Sequence, residues 1–232
     1  MANRKLVKRM VCLANSRKLA GRCIAGREWR DQCAGDWLRP ISDREHGEVS
    51  EYERQYEDGS DPRVLDIVEV PLLRHRPAGF QAENWLLDPE WYWVKQGQFP
   101  QDELERLTDP VEPLWFDGDS TYHGHNDRVR EAQLESIGDS LRLIAVERLG
   151  LEVFAPGEAF GNSKRRVQGR FRHAGRDYRL WVTDPLYERR YLGKLNGSYE
   201  VGPCHLTISL GEEFEGAAYK LIAAIIETEC GG

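Results

Sequence analysis

Apolar positions along this chain recur mostly at a spacing of two, and long stretches of 3.6-residue periodicity are scarce, so a β-rich protein is expected. The clearest region is the last third. Leu141 to Val146 and Leu151 to Phe154 read as one strand, interrupted near Gly150. Arg165 to His173 alternates, Ala174-Gly175 supplies a tight turn, and Arg176 to Thr183 alternates again, which predicts a hairpin. Asp184-Pro185 ends that strand and starts a short helix through Lys194, because proline suits a first helical turn and aspartate caps it. His205 to Leu210 and Tyr219 to Glu227 read as two more strands. The predicted order β-β-β-α-β-β over residues 141–232 is that of a five-stranded OB-type barrel.

The first part predicts less. Lys5 to Leu13, Arg22 to Ala25, Trp37 to Pro40, Leu65 to Leu73, Asn84 to Leu87 and Trp91 to Lys95 are strand candidates, with Pro71 pointing to an edge or an end. Glu45 to Asp61 is too acidic for a core and reads as an exposed loop or helix. Gln101 to Thr108 reads as a short helix, and Asp117 to Asp127 as a polar loop. Ser136 to Ser140 is the expected boundary between a domain over 1–135, carrying an acidic insertion, and a domain over 141–232. No internal repeat is visible.

Composition narrows the function classes. The chain has 232 residues, 40% of them hydrophobic and 31% charged, and no apolar run long enough to span a bilayer. The basic N-terminus lacks an apolar core, so no secretory signal is expected. Five cysteines, none in a C-x-x-C pair, fit free thiols in a reducing cytoplasm rather than a disulfide framework or a zinc ribbon. Net charge is -7, yet residues 1–30 carry nine Lys/Arg against one Glu, and residues 164–190 carry nine against three acids. Two basic segments in an acidic chain point to a polyanion if they converge, and otherwise to two solvated faces.

The basic hairpin carries the strongest candidate chemistry. The two-residue period puts Arg166, Gln168, Arg170 and Arg172 on one face and Val167, Gly169, Phe171 and His173 on the other. Guanidinium groups bind phosphate bidentately, and interleaved aromatics supply stacking platforms for bases. Lys164, Arg166, Arg170 and Arg172 are the expected phosphate contacts, with Tyr178 or Trp181 stacking where exposed. The alternative for the aromatics is burial of Phe171 and Trp181 in the core. A second candidate is the segment Asn15-Ser16-Arg17-Lys18 with Arg22, read as a polar loop able to hold a phosphate, with Arg39 beside Trp37 extending the track. His123, His125 and Asp127 are weak metal candidates, since an H-x-H spacing aligns two imidazoles only on extended chain. Glu83 with Asn84, and Asp66 with Glu69, are loose carboxylate candidates. No hydrolase, zincin, dinucleotide or kinase signature is present.

The stretches VCLANSRKLAGRCIAG, WLRPIS, QAEN (Gln81 to Asn84), HNDRV (His125 to Val129), YRLWVTDP, CHLTISLGEEF and YKLIAAII together resemble the bacterial dual OB-containing domain family. The resemblance spans nearly the whole chain. It implies two tandem OB-like barrels with short helices and an association with nucleic-acid or nucleotide processing, including in anti-phage systems. It implies no catalytic residues. The expectation is therefore a cytoplasmic, non-catalytic module for single-stranded DNA or RNA or a nucleotide-like ligand, without cofactor or membrane contact. Two alternatives stay open. One is a nuclease or nucleotide-modifying enzyme using Mg²⁺; the other is a protein-interaction subunit of a larger complex.

Overall fold

The computed structural model describes residues 6–228. The chain forms two compact units that divide between Leu107 and Thr108. This corrects the expected boundary at 136–140. Ser140 is fully buried and its carbonyl accepts from the Leu210 amide, so the segment lies inside the second unit.

The first unit contains strands β1 (Leu6–Lys18), β2 (Gly21–Arg30) and β3 (Cys33–Ile41), the single helical turn α1 (Glu51–Arg54), and strands β4 (Asp66–His75), β5 (Asn84–Leu87) and β6 (Val94–Gln98). A 3-10 turn follows over Gln101–Arg106. The ladders run β1–β2–β3 antiparallel, β3–β5 parallel, β5–β4 antiparallel and β4–β1 antiparallel, which closes a ring of five strands. Asp31 and Gln32, both at positive φ, turn β2 into β3 as a two-residue hairpin connection requires. Gly26 is demanded by packing, because a Cβ there would lie 2.0 Å from the Val11 carbonyl oxygen. Pro71 is not at a strand end. It sits inside β4 opposite Val7. Its carbonyl accepts from the Asp88 amide, so its missing N–H falls on the side where β4 changes neighbour from β6 to β5.

The second unit contains β7 (Arg128–Arg130), the turn α2 (Glu131–Leu134), β8 (Leu141–Phe154), β9 (Arg166–His173), β10 (Arg176–Val182), helix α3 (Pro185–Leu192), β11 (Gly197–Phe214) and β12 (Ala217–Glu227). Its ladders repeat the first unit's circuit: β8–β9–β10 antiparallel, β10–β12 parallel, β12–β11 and β11–β8 antiparallel. The core is filled from the inward positions, among them Leu151, Val167, Phe171, Leu180, Leu206 and Ile222. β8 runs unbroken through Gly150. The irregularity expected there lies on its neighbour β11, which shifts register around Gly202. Ala174 and Gly175, both at positive φ, make the β9–β10 turn.

Asp184 ties the crossover helix to the barrel. One carboxylate oxygen accepts from the Leu186 and Tyr187 amides, and the other accepts from Ile225 N–H on β12. Asp184→Ala removes the cap and strands a buried strand amide, so it is expected to cost about 2 kcal/mol in chemical denaturation.

Candidate functional site

The outward face of β8, β9 and β10 gathers arginines and aromatics. On β9, Val167, Phe171 and His173 point inward and are buried, while Arg170 and Arg172 are exposed and Arg166 is partly so. Gln168 also occupies an outward position, yet it is buried. Residues of the 117–127 segment lie over it, and its Nε2 donates to the His123 carbonyl at 2.9 Å. Register sets Trp181 opposite Gln168, Arg179 opposite Arg170, Phe154 opposite Arg166 and Gly150 opposite Arg170.

At one end of this face the Arg166 guanidinium lies 4.0 Å over the Trp181 ring. The same ring stacks with Phe154 at 5.7 Å between centroids and 29° between planes. His123 packs against both Phe154 and Trp181, and Tyr122, 95% exposed, meets His123 edge-on. The loop joining β8 to β9 adds Lys164 and Phe160, the latter 91% exposed. At the other end a cleft of about 710 Å³ opens between β8 and the β9–β10 hairpin, lined among others by Arg148, Arg170, Arg172 and Arg179. Arg170 is paired with Glu152, and Arg148 with Glu200.

The aromatics divide differently from the expectation. Tyr178 is inside: it is 2% exposed, stacks on Phe171, accepts from Leu114 N–H and donates to Asp117. Burial raises its pKa well above the ordinary tyrosine value, so it is a neutral core hydroxyl and not a stacking platform. Trp181, whose alternative reading was the core, is instead half-buried on the outer face. The physical reason is register, since Trp181 is odd-numbered with Arg179 and opposite in phase to Tyr178, Leu180 and Val182.

The first-unit candidates do not form a phosphate loop. β1 continues through Lys18, and the connection is only the turn at Leu19-Ala20. Asn15 donates to the Pro62 carbonyl. Ser16 is buried and donates to Cys23 O. Arg22 exchanges two backbone hydrogen bonds with Val49, and Lys18 is partly buried at the end of its strand. Arg39 is 3% exposed, pairs with Glu83 at 3.0 Å and donates to Asn84. Asn84 in turn donates to Gln81. Arg39, Gln81, Glu83 and Asn84 thus form one buried network across the parallel β3–β5 seam. Glu83 with Asn84, a loose carboxylate candidate from sequence, is held in this network by Arg39.

The metal candidates part in a similar way. Both Asp127 oxygens accept from Thr121, at 2.8 Å from its amide and 2.6 Å from its hydroxyl. His123 bonds the Pro156 carbonyl, and His125 bridges Arg179 through backbone. Among the described residues no three His, Cys, Asp or Glu side chains converge as a metal site. The segment is instead a strap at the β10–β12 seam, where the parallel ladder has only two residue pairs. His125 bonds β10, Asp127 O accepts from Lys220 N–H of β12, and β7 continues along β12. Beneath it Lys220, 1% exposed, donates to Asp117 at 2.9 Å and to the Phe116 carbonyl. Burial pushes the Lys220 pKa down, and Asp117 works against that by holding the proton. Lys220 and Phe154 were missed from sequence because each depends on a partner far along the chain. Tyr122 and Phe160 had a signal: an aromatic among glycine and polar loop residues has no core to enter.

Two five-stranded rings, each with a parallel third-to-fifth contact and a crossover between the third and fourth strands, define a protein of tandem OB-like barrels. The chain belongs to the family described as the Dual OB-containing domain, whose model matches residues 8–225. No curated protein and no solved structure matches the chain. Among the described residues no helix is long and apolar enough to cross a membrane.

Proposed function

We propose that the outward face of β8, β9 and β10 binds single-stranded nucleic acid. The observation that carries this reading is the Phe154–Trp181–Arg166 stack, partly open to solvent and on the same strands as the exposed Arg170 and Arg172. In OB barrels this strand face and its neighbouring loops hold oligonucleotides. Arg166, Arg170, Arg172 and Lys164 contact phosphates, and Tyr122 and Phe160 offer open rings for bases. From Arg172 to Arg166 the strand advances about 20 Å at roughly 3.3 Å per residue, room for about three nucleotides. Four free thiols, at Cys12, Cys23, Cys33 and Cys204, fit a reducing cytoplasm; Cys230 lies outside the described residues. A defence setting rests on the family resemblance alone.

The test is anisotropy of a labelled oligonucleotide titrated with salt. Four phosphate contacts on a single strand give a log–log slope of about -3, so raising salt from about 50 to 200 mM should weaken binding about 50-fold. Salt-independent binding would refute an arginine–phosphate interface. Absence of binding to DNA and RNA strands alike would shift the reading to a protein-interaction subunit.

A further inference from the structure

We propose that the arginine cleft beside this face is a phosphomonoester site, which seats the terminal phosphate of a strand. In that form it deepens the strand-binding reading by giving the strand an end. Three features of the cleft lead there.

First, Arg170 and Arg179 stand directly opposite each other across the β9–β10 ladder, on the same face. Like charges at such a position repel; Glu152 offsets Arg170 alone, and an anion between the two arginines would engage the charge of Arg179 as well. Second, the charge of Arg179 is not absorbed within the protein. Among the described residues it makes no ion pair, and its Nε is enclosed without a hydrogen-bond partner. Among the described residues Arg172, two positions from Arg170, reaches only the Gly175 carbonyl, at 3.4 Å. Third, the β8 residue opposite Arg170 is Gly150, which leaves that position beside Arg170 without a side chain and open to the cleft. The cleft volume of about 710 Å³ falls in the range of small-ligand sites.

The charge balance favours a terminal phosphate over an internal one. Glu147 and Asp177 also line the cleft, and Glu152 already engages Arg170. A diester with a single charge gains little there. A phosphomonoester carries about 1.5 to 2 negative charges at pH 7 and three acceptor oxygens, enough to engage the guanidiniums of Arg170, Arg172 and Arg179 together.

The experiment uses the full chain and one oligonucleotide sequence, labelled on an internal base, with hydroxyl or phosphate at either end. A phosphate at one particular end is expected to tighten binding about tenfold. In Arg179→Gln the ratio between phosphorylated and hydroxyl-ended strands should fall to about one, with circular dichroism confirming the fold. Adenosine 5′-monophosphate as competitor separates the sources: displacement at concentrations equal to those of phosphorylated strand identifies a free nucleotide as ligand, and its failure identifies a strand end. Equal affinity for all four strands, with no effect of the monophosphate, overturns the cleft proposal and leaves the strand-binding face standing. Binding of the monophosphate with no strand binding at all overturns the face and keeps the cleft.

Discussion

Replacing Arg166, Arg170 and Arg172 together by Glu is expected to lower affinity for a single-stranded oligonucleotide about 100- to 1000-fold at 100 mM salt. Each arginine–phosphate contact is worth about 1.5 kcal/mol or more, tempered by exposure to solvent, and each glutamate adds repulsion. The fold should survive, because these side chains lie on the outer face and the ion pair that Arg170 loses with Glu152 is at the surface. Thermal unfolding within a few degrees of the parent, alongside the loss of binding, would separate recognition from stability. Trp181→Ala should cost about 10- to 100-fold, since it removes the ring on which Arg166 rests and against which Phe154 stacks. Retained affinity in the triple variant would mean that the basic face is ordinary surface.

The second large effect is expected in the other barrel and on stability. Arg39→Ala leaves the Glu83 side chain, 5% exposed, without its guanidinium and leaves Asn84 without a donor. Breaking a buried ion pair by removing one partner costs about 3–5 kcal/mol. The loss should appear as faster hydrogen exchange in β3 and β5, whose short parallel ladder runs from Arg39 to Ile41 against Asn84 to Leu86. Replacing both partners, as in Arg39→Met with Glu83→Gln, should be much milder, because no uncompensated charge stays buried. Equal damage from the single and double variants would show that the network acts by packing alone.

The family motifs gain a physical meaning from these seams. Arg39 of WLRPIS meets Glu83 and Asn84 of QAEN, and Asn84 donates to Gln81 of the same motif. In the second unit Asn126 of HNDRV donates to the Asp177 carbonyl, and Asp127 accepts from Lys220 of YKLIAAII. Sequence reading set Arg39 among phosphate ligands and His123, His125 and Asp127 among metal candidates, because those residue types carry chemistry when exposed. Their surroundings make them the clasps that close barrels.

What the sequence determined by itself is local. Alternation in Arg166 to His173 assigned an inner and an outer face, Ala174-Gly175 fixed the hairpin, and Asp184-Pro185 fixed the start of α3, since side-chain period, positive φ and capping act within a few residues. Together they were enough to order the second barrel's strands. What only the tertiary structure decided is everything set by partners distant in sequence. It assigned residues 108–140 to the second unit, closed the first ring of strands, and buried Ser16, Arg39 and Tyr178. It also brought Arg166 of β9 and Phe154 of β8 onto the Trp181 ring. Exposure and cross-strand register are properties of which strands meet, and no single strand's pattern contains them.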